Sequence, residues 1–365
     1  MERAYKFRIY PNKTQQELIQ KTFGCCRFVY NYYLDKRIQA YKDDKTSLNY
    51  YDCANDLTNL KKKYEWLKEV DATSLQSSIK DLDNAYKNFF KEYSGFPRFK
   101  SKKNHRKSYK SKYVSNNIQF KNNHIKLPKL GWIKTRDKQI PQGKILNATI
   151  SQDPSGKYYV SLCCTDVEMQ YLPKTNNQVG IDLGIKDFAI TSDGVKYANP
   201  KYLQQSLEKL AKLQRELSRK TRGSSNWNKA RIKVTRQYEK IRNQRQDFLQ
   251  KLSTELIQEN DIICIEDLQV KNMLQNHKLA RSISDVSWYE FTRQLQYKAD
   301  WYGRQVIKVN KFFASSQTCN CCGKKFPIAK DLGVRQWICP NCKSVLDRDT
   351  NAAINILNEG LKQIA

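Results

Sequence analysis

Three acidic positions stand where acids are costly. Asp182 lies in Gly180-Ile181-Asp182-Leu183-Gly184, the middle of an apolar run, with Ile181 and Leu183 on the opposite face of an alternating strand. Glu266 ends Ile262-Ile263-Cys264-Ile265 and is followed by Asp267-Leu268. The third position falls in Asp347-Arg348-Asp349-Thr350-Asn351-Ala352-Ala353, where a loop enters a helix, and there Asp347 or Asp349 would also serve as an N-cap. A carboxylate in apolar surroundings asks for a metal or a hydrogen-bond partner. Three of them, brought from separate elements onto one sheet edge, would hold two magnesium ions about 4 Å apart, the arrangement that activates a water and stabilises the leaving oxygen in phosphodiester hydrolysis. Magnesium prefers carboxylate oxygen, and the set offers no soft ligand.

A second pattern is made of sulfur. Cys319 and Cys322 form one CxxC, and Cys339 and Cys342 form another, with sixteen residues between the pairs. This is the spacing of a structural zinc site with four cysteine ligands, each pair on its own knuckle, and Gly323 and Pro340 suit the tight turns. Cys321 is a spare thiol beside the first pair. A redox dithiol would need a βαβ setting that is absent. A closed four-cysteine site does no chemistry, so its place just before Asp349 suits ordering the approach to the acids. Cys25, Cys26, Cys53, Cys163, Cys164 and Cys264 sit among apolar residues and read as buried thiols. His105, His124 and His277 lie beside no Cys or Ser, so protease chemistry has no support.

The elements that must position these residues follow from periodicity. Ala4 to Ile9 alternate like a strand, Pro11 breaks it, and Thr14 with Glu17 form a capping-box signature. From Glu17 to about Phe90 the pattern is helical and predicts a bundle. Lys100 to Lys112 reads as a basic loop whose lysines, with Tyr109 and Tyr113, suit phosphate contact and base stacking. Short strands follow at 118–120, 125–127, 132–134, 145–151 and 158–165, the last two joined by the turn Asp153-Pro154-Ser155-Gly156. With the first strand they would close a small β-barrel. Leu172 to Asn177 reads as a linker. Beyond it come strands at 179–185 and 188–191, a hairpin turn at Asp193-Gly194, and two long basic helices near 202–220 and 227–258. A strand at 262–265, a helix near 287–303 and a strand at 306–313 complete the pattern.

Sixty-six Lys and Arg oppose thirty-six Asp and Glu, for a formal net charge of +30. Such an excess repels itself unless a polyanion is present, and nucleic acid is the natural partner because displaced phosphate counterions drive binding. No long apolar helix and no signal peptide are read, which places the protein in the cytoplasm, associated with the nucleoid when on DNA, with no membrane partner. Eleven cysteines in such a chain are not a disulfide framework.

The three acidic segments, as Gly180-Ile181-Asp182-Leu183-Gly184-Ile185-Lys186, Ile265-Glu266-Asp267-Leu268 and Asp349-Thr350-Asn351-Ala352-Ala353-Ile354-Asn355-Ile356-Leu357, resemble the RuvC motifs of the TnpB family and the related type V CRISPR effectors. Gly24-Cys25-Cys26-Arg27-Phe28-Val29-Tyr30-Asn31, the stretch from Gly95 to Lys100, and Ser315-Ser316-Gln317-Thr318-Cys319 are similar to further TnpB motifs, so the resemblance runs over nearly the whole chain. It implies catalytic, magnesium-binding roles for Asp182, Glu266 and Asp349, with Asp349 preferred to Asp347 because it stands two before Asn351. It implies a multidomain α/β protein: a wedge-like β-barrel from 1–10 and 96–172, a helical recognition bundle from 11–95, and an RNase H-like (RuvC) nuclease domain from 173–365 with a zinc ribbon inserted at 314–346. The implied activity is guide-RNA-directed cleavage of double-stranded DNA beside a short motif. Two rivals stand beside it, a DNA transposase and a cleavage-deficient RNA-guided repressor. Transposases of this fold usually order their acids Asp, Asp, Glu, whereas the order here is Asp, Glu, Asp.

Overall fold

The computed structural model describes residues 1–104, 107–136, 140–327 and 333–364, so His105, part of the basic stretch and part of the ribbon span lie outside it. The chain divides into two compact units, Met1–Glu168 and Met169–Ala365. No helix among the described residues is long and apolar enough to cross a membrane.

In the first unit, β1 (Arg3–Tyr10) leads into α1 (Lys13–Asp44), α2 (Tyr50–Lys63) and α3 (Ala72–Phe90). The helices bury Ile19, Val29, Tyr33, Leu34, Leu57, Leu75, Ile79 and Leu82 among themselves. The first helix starts earlier than the Thr14–Glu17 signature suggests. Asn12 is the cap: its side chain accepts from Gln15 N at 2.9 Å while Gln15 Oε1 accepts from Asn12 N at 3.0 Å. Pro11 already ends the strand, which leaves Asn12 as the first residue free to cap.

Six strands follow: β2 (Lys107–Lys112), β3 (Gln119–Lys121), β4 (His124–Leu127), β5 (Gly131–Thr135), β6 (Lys144–Gln152) and β7 (Tyr158–Thr165). With β1 they form one antiparallel sheet in the order β2-β6-β7-β1-β5-β4-β3. The expected turn joins β6 to β7, with Gly156 N donating to Asp153 O at 2.8 Å. The expected barrel is not closed, because the end strands β2 and β3 do not pair. The N-terminal turn of α3 lies against β2 instead: Ser111 Oγ donates to Asp71 Oδ2 at 2.7 Å, and Lys112 N donates to Thr73 Oγ1 at 3.0 Å. The helix thus covers this end of the β2 edge.

The strand β2 also corrects the basic loop. Lys110 and Lys112 are exposed and alternate with Tyr109 and Ser111, which point inward. Lys107 is half-buried on the inner face, its Nζ donating to Gln20 Oε1 at 3.0 Å. Tyr109 is buried with its ring 5.6 Å from that of Phe23, so it is a core residue and offers no face for base stacking.

The second unit is built on β8 (Gln178–Leu183), β9 (Asp187–Thr191), β10 (Lys196–Ala198), β11 (Ile262–Glu266) and β12 (Gln305–Val309), in the order β10-β9-β8-β11-β12. The strands β8, β11 and β12 are parallel, and β9 runs antiparallel to both neighbours. Between them come α4 (Tyr202–Ser218), α5 (Ser225–Glu259), the short α6 (Val270–Met273) and α7 (Ala280–Val286), and α8 (Trp288–Tyr302). After β12, the hairpin β13 (Gln336–Ile338) and β14 (Val345–Asp347) leads into α9 (Arg348–Lys362).

Strand alternation sorts the two faces of the sheet. Val179, Ile181, Leu183, Ile263 and Ile265 join the core made with Leu252, Leu256, Phe291 and Leu295 of α5 and α8. Cys264, Ile307 and Val309 meet Ile356 of α9 on the other face. There the helix comes unusually close. A methyl group at Gly180 would fall 2.1 Å from Ala353 O, and one at Gly360 would fall 2.4 Å from Cys264 Sγ. The expected linker before β8 is pinned at its end, where Asp261 accepts from Thr175 N at 3.0 Å and Asn176 N at 2.8 Å.

Candidate active site and metal centre

Alternation puts Asp182 on the same face as Gly180, and Glu266 on the same face as Cys264, which is the face that α9 covers. The first turn of α9 carries Asp349. Three elements thus deliver one carboxylate each to the same end of the sheet. Ile181 pairs with Ile265, which sets Asp182 beside Glu266, although the three carboxylates are not gathered within 4.8 Å as the four thiols are. Burial raises the Asp182 carboxyl to about 7, and the negative charges of Glu266 and Asp349 add to the rise while Arg348 opposes it. Burial also raises Glu266, against the hydroxyl of Ser315, which donates to its Oε1 at 2.5 Å. Asp349 meets Arg335 Nη1 at 3.1 Å.

Asp347 has a different occupation. Its Oδ1 accepts from the backbone N–H of Asp349 at 3.1 Å and of Thr350 at 3.0 Å, as the N-cap of α9. Its Oδ2 takes Lys196 Nζ at 3.0 Å. Burial works the other way, but the Thr350 N–H and Lys196 hold this carboxyl below its ordinary range. Of the two acids in this segment, Asp347 is spent on the helix, and Asp349 is the one whose charge acts on Asp182.

The four thiols of Cys319, Cys322, Cys339 and Cys342 lie within 4.8 Å of one another, the one group of this kind among the described residues. Cys319 and Cys339 are fully buried. Each pair sits on the same turn: Gly323 N donates to Cys319 O, and Lys343 N donates to Cys339 O, both at 2.9 Å. The left-handed position is Gly323 in the first knuckle and Lys343 in the second. Cys321 is exposed and points away to Asn320 Oδ1 at 3.2 Å. Ser344 draws the Cys342 thiol down to about 6, while burial pushes Cys319 up to about 12. Four sulfurs this close fit a tetrahedral soft-metal site.

Sequence reasoning did not assign the contacts of Ser315, Arg335 and Lys196 with the acids. Ser315 and Arg335 both lay within the expected ribbon span, but nothing in their type or spacing pointed to Glu266 or Asp349.

Comparison with known proteins gives three family-model matches. A model described as "Probable transposase" matches residues 161–277, one described as "Cas12f1-like, TNB domain" matches 288–356, and one described as "Helix-turn-helix domain" matches 1–46. In this chain residues 1–46 hold β1 and the single helix α1. A protein of Streptomyces pristinaespiralis is 40% identical over 99% of this chain and 90% of its own length. One of Escherichia coli is 35% identical over 98% and 92%. Both are named "Putative RNA-guided DNA endonuclease", the second with the addition InsQ. A mimivirus protein named "TnpB-like protein L79" is 30% identical over 59% of this chain and 43% of its own. The solved "Cryo-EM structure of the Cas12f1-sgRNA-target DNA complex" overlaps 98% of this chain and 99% of that one at 17% identity and a TM-score of 0.38, a likeness too loose to carry an argument.

Proposed function

Because the chain belongs to the TnpB family, we propose that it is an RNA-guided DNA endonuclease in which Asp182, Glu266 and Asp349 hold the magnesium that cleavage requires. The observation that carries this reading is geometric: Ile181 pairs with Ile265, so Asp182 and Glu266 follow side by side on parallel β8 and β11, and the first turn of α9, the helix over that face, brings Asp349. The strand order, with β9 alone reversed between β8 and β10, supports an RNase H-like (RuvC) nuclease domain over 173–365. The helices of 11–95 then form the recognition bundle, and the strands of 1–10 and 96–172 form an open wedge sheet.

The acids fit the metal by donor type. They are carboxylates only, and their charges repel one another at the edge of a poorly solvated site, where a divalent cation relieves them. When bound, magnesium supplies an electrophile for the scissile phosphate and lowers the pKa of an attacking water. The chain does the positioning. Asp347 caps α9 and so fixes the direction in which Asp349 leaves the helix. Ser315 holds one oxygen of Glu266. The packing of Gly180 against Ala353 sets the separation of β8 from α9. The four-cysteine centre takes structural zinc. Excess positive charge serves the phosphate backbone of guide RNA and of duplex DNA, while base pairing with the guide reads the target sequence.

The test is a plasmid cleavage assay in magnesium at physiological salt with two guides and two targets. Cutting should move with the guide, provided the adjacent DNA motif is kept, and Asp182→Ala should abolish it while guide RNA remains bound. Cutting that follows the DNA site and ignores the guide would replace this reading with direct transposase action. Guided binding by the wild type without any cutting would leave a repressor.

A further inference from the structure

We infer that Ser315, Asn351 and Asn355 are positioning residues that tie the acids to the first cysteine knuckle, so that Glu266 and Asp349 are correctly set only while that knuckle is closed. The inference rests on the nuclease reading above for the role of the acids, and on separate contacts for the coupling. Cys319 is fully buried, with its sulfur 3.6 Å from that of Cys342. The residues flanking it are held by α9. Thr318 O accepts from Asn351 Nδ2 at 2.8 Å and from Asn355 Nδ2 at 2.6 Å, while Asn320 N donates to Asn351 Oδ1 at 2.9 Å. Asn355 Nδ2 also donates to Ser315 O at 2.8 Å, and Ser315 Oγ donates to Glu266 Oε1.

These bonds form one continuous path. It runs from the thiol cluster through the backbone of residues 318–320 into two amides of α9, and from Asn355 through Ser315 to the end of β11. Asn351 stands two residues after Asp349 in the same helix.

The residue types argue that the path is more than filler. Asparagine is a poor interior helix residue, and two of them one turn apart on α9 are buried, at 2% and 6% exposure. Each spends its amide on the backbone of the segment that enters the knuckle, and neither bonds within its own helix. Thr318 O, once paired twice, cannot leave without stranding the two buried amides that donate to it. Opening the knuckle therefore releases Thr318 and Asn320 from α9, and with them the hydroxyl that orients Glu266. Partners of this outer kind ordinarily change metal affinity by about 10–100-fold when removed.

The test uses the full chain, with guide RNA for cleavage and without it for metal binding. Ser315→Ala, Ser315→Thr and Asn355→Leu are compared with wild type for zinc content, melting temperature, magnesium dependence of guided cleavage, and manganese binding to the RNA-free protein by electron paramagnetic resonance. Ser315→Ala should keep its zinc and its melting temperature, yet need about 10-fold more magnesium for half-maximal cleavage and bind manganese correspondingly more weakly. Ser315→Thr keeps the hydroxyl and should fall within about 2-fold of wild type. Asn355→Leu should raise the magnesium requirement as Ser315→Ala does but also lower the melting temperature, since Ser315 O loses its donor. The two serine variants decide the matter if the leucine variant does not fold. An unchanged metal dependence in Ser315→Ala, with zinc retained, would overturn the coupling while leaving guided cleavage intact. Wild type that never cuts would instead overturn the nuclease reading. The manganese comparison would still judge the coupling on its own.

Discussion

At the scale of single residues, Asp182 is under the most opposed demands. Its carboxyl sits near 7, above the ordinary aspartate value, because burial and two neighbouring charges disfavour the ionised form. A raised acid favours the folded state when protonated, so its contribution is fully present below about pH 4 and is lost as the pH climbs through about 7. In magnesium-free buffer, Asp182→Asn should therefore raise the melting temperature at pH 8 and do little at pH 4. The gain should be about 1–2 kcal/mol, since the side chain is partly open to solvent. Equal effects at both pH values, read by thermal melts, would show that the charge is not the cause. The same substitution should abolish cleavage. The two aspartates before α9 should separate in a similar way. Asp349→Ala should remove cleavage with little change in melting, whereas Asp347→Ala should cost about 1 kcal/mol of stability, as the loss of a helix cap does. Among the thiols, Cys339→Ser should lower zinc content and stability, while Cys321→Ser, outside the cluster, should change neither.

At the scale of elements, the helix α9 determines whether a site exists. It rests on the sheet at two points where no side chain fits, Gly180 under Ala353 and Gly360 over Cys264. Gly180→Ala should force α9 away from β8, because the obstructing atoms are backbone. A stability loss of about 1–3 kcal/mol and a large fall in cleavage are expected, measured by denaturant unfolding and the plasmid assay. Gly24 is the control. It stands in α1 with nothing within 4 Å of an added methyl, so Gly24→Ala should stabilise by about 0.5–1 kcal/mol. The strands of the second unit and their acids were legible because a charged residue inside Gly-Ile-Asp-Leu-Gly or after Ile-Ile-Cys-Ile is a local anomaly. The face they share was legible only in part, since alternation orders one strand but does not say which helix covers it. The open sheet of the first unit was not legible, because it depends on α3 meeting β2 across a long separation in sequence. The strand β2 itself was hidden by its lysines, which mark a solvent face as readily as a loop. The short helices α6 and α7 gave too few residues for any period to show.

At the scale of the molecule, the charge of +30 and the site act on different quantities. Without guide RNA the protein should bind any DNA at low salt and lose that affinity by orders of magnitude between about 50 and 200 mM salt, as displaced counterions require. Filter binding against salt would measure this, and a flat response would argue that the positive charge does not face nucleic acid. The order of the acids along the chain has a kinetic meaning as well. Asp182, Glu266 and Asp349 are separated by about eighty residues at each step, and the first two lie on adjacent parallel strands that no hairpin can bring together. Contacts of such long range slow folding, because the loops between them must close before the contacts reward it. A chain caught partway through folding can already display lysines to DNA but has no assembled triad. Nuclease activity would then emerge as one of the last events of folding, leaving immature or damaged copies sticky but harmless to the genome that encodes them.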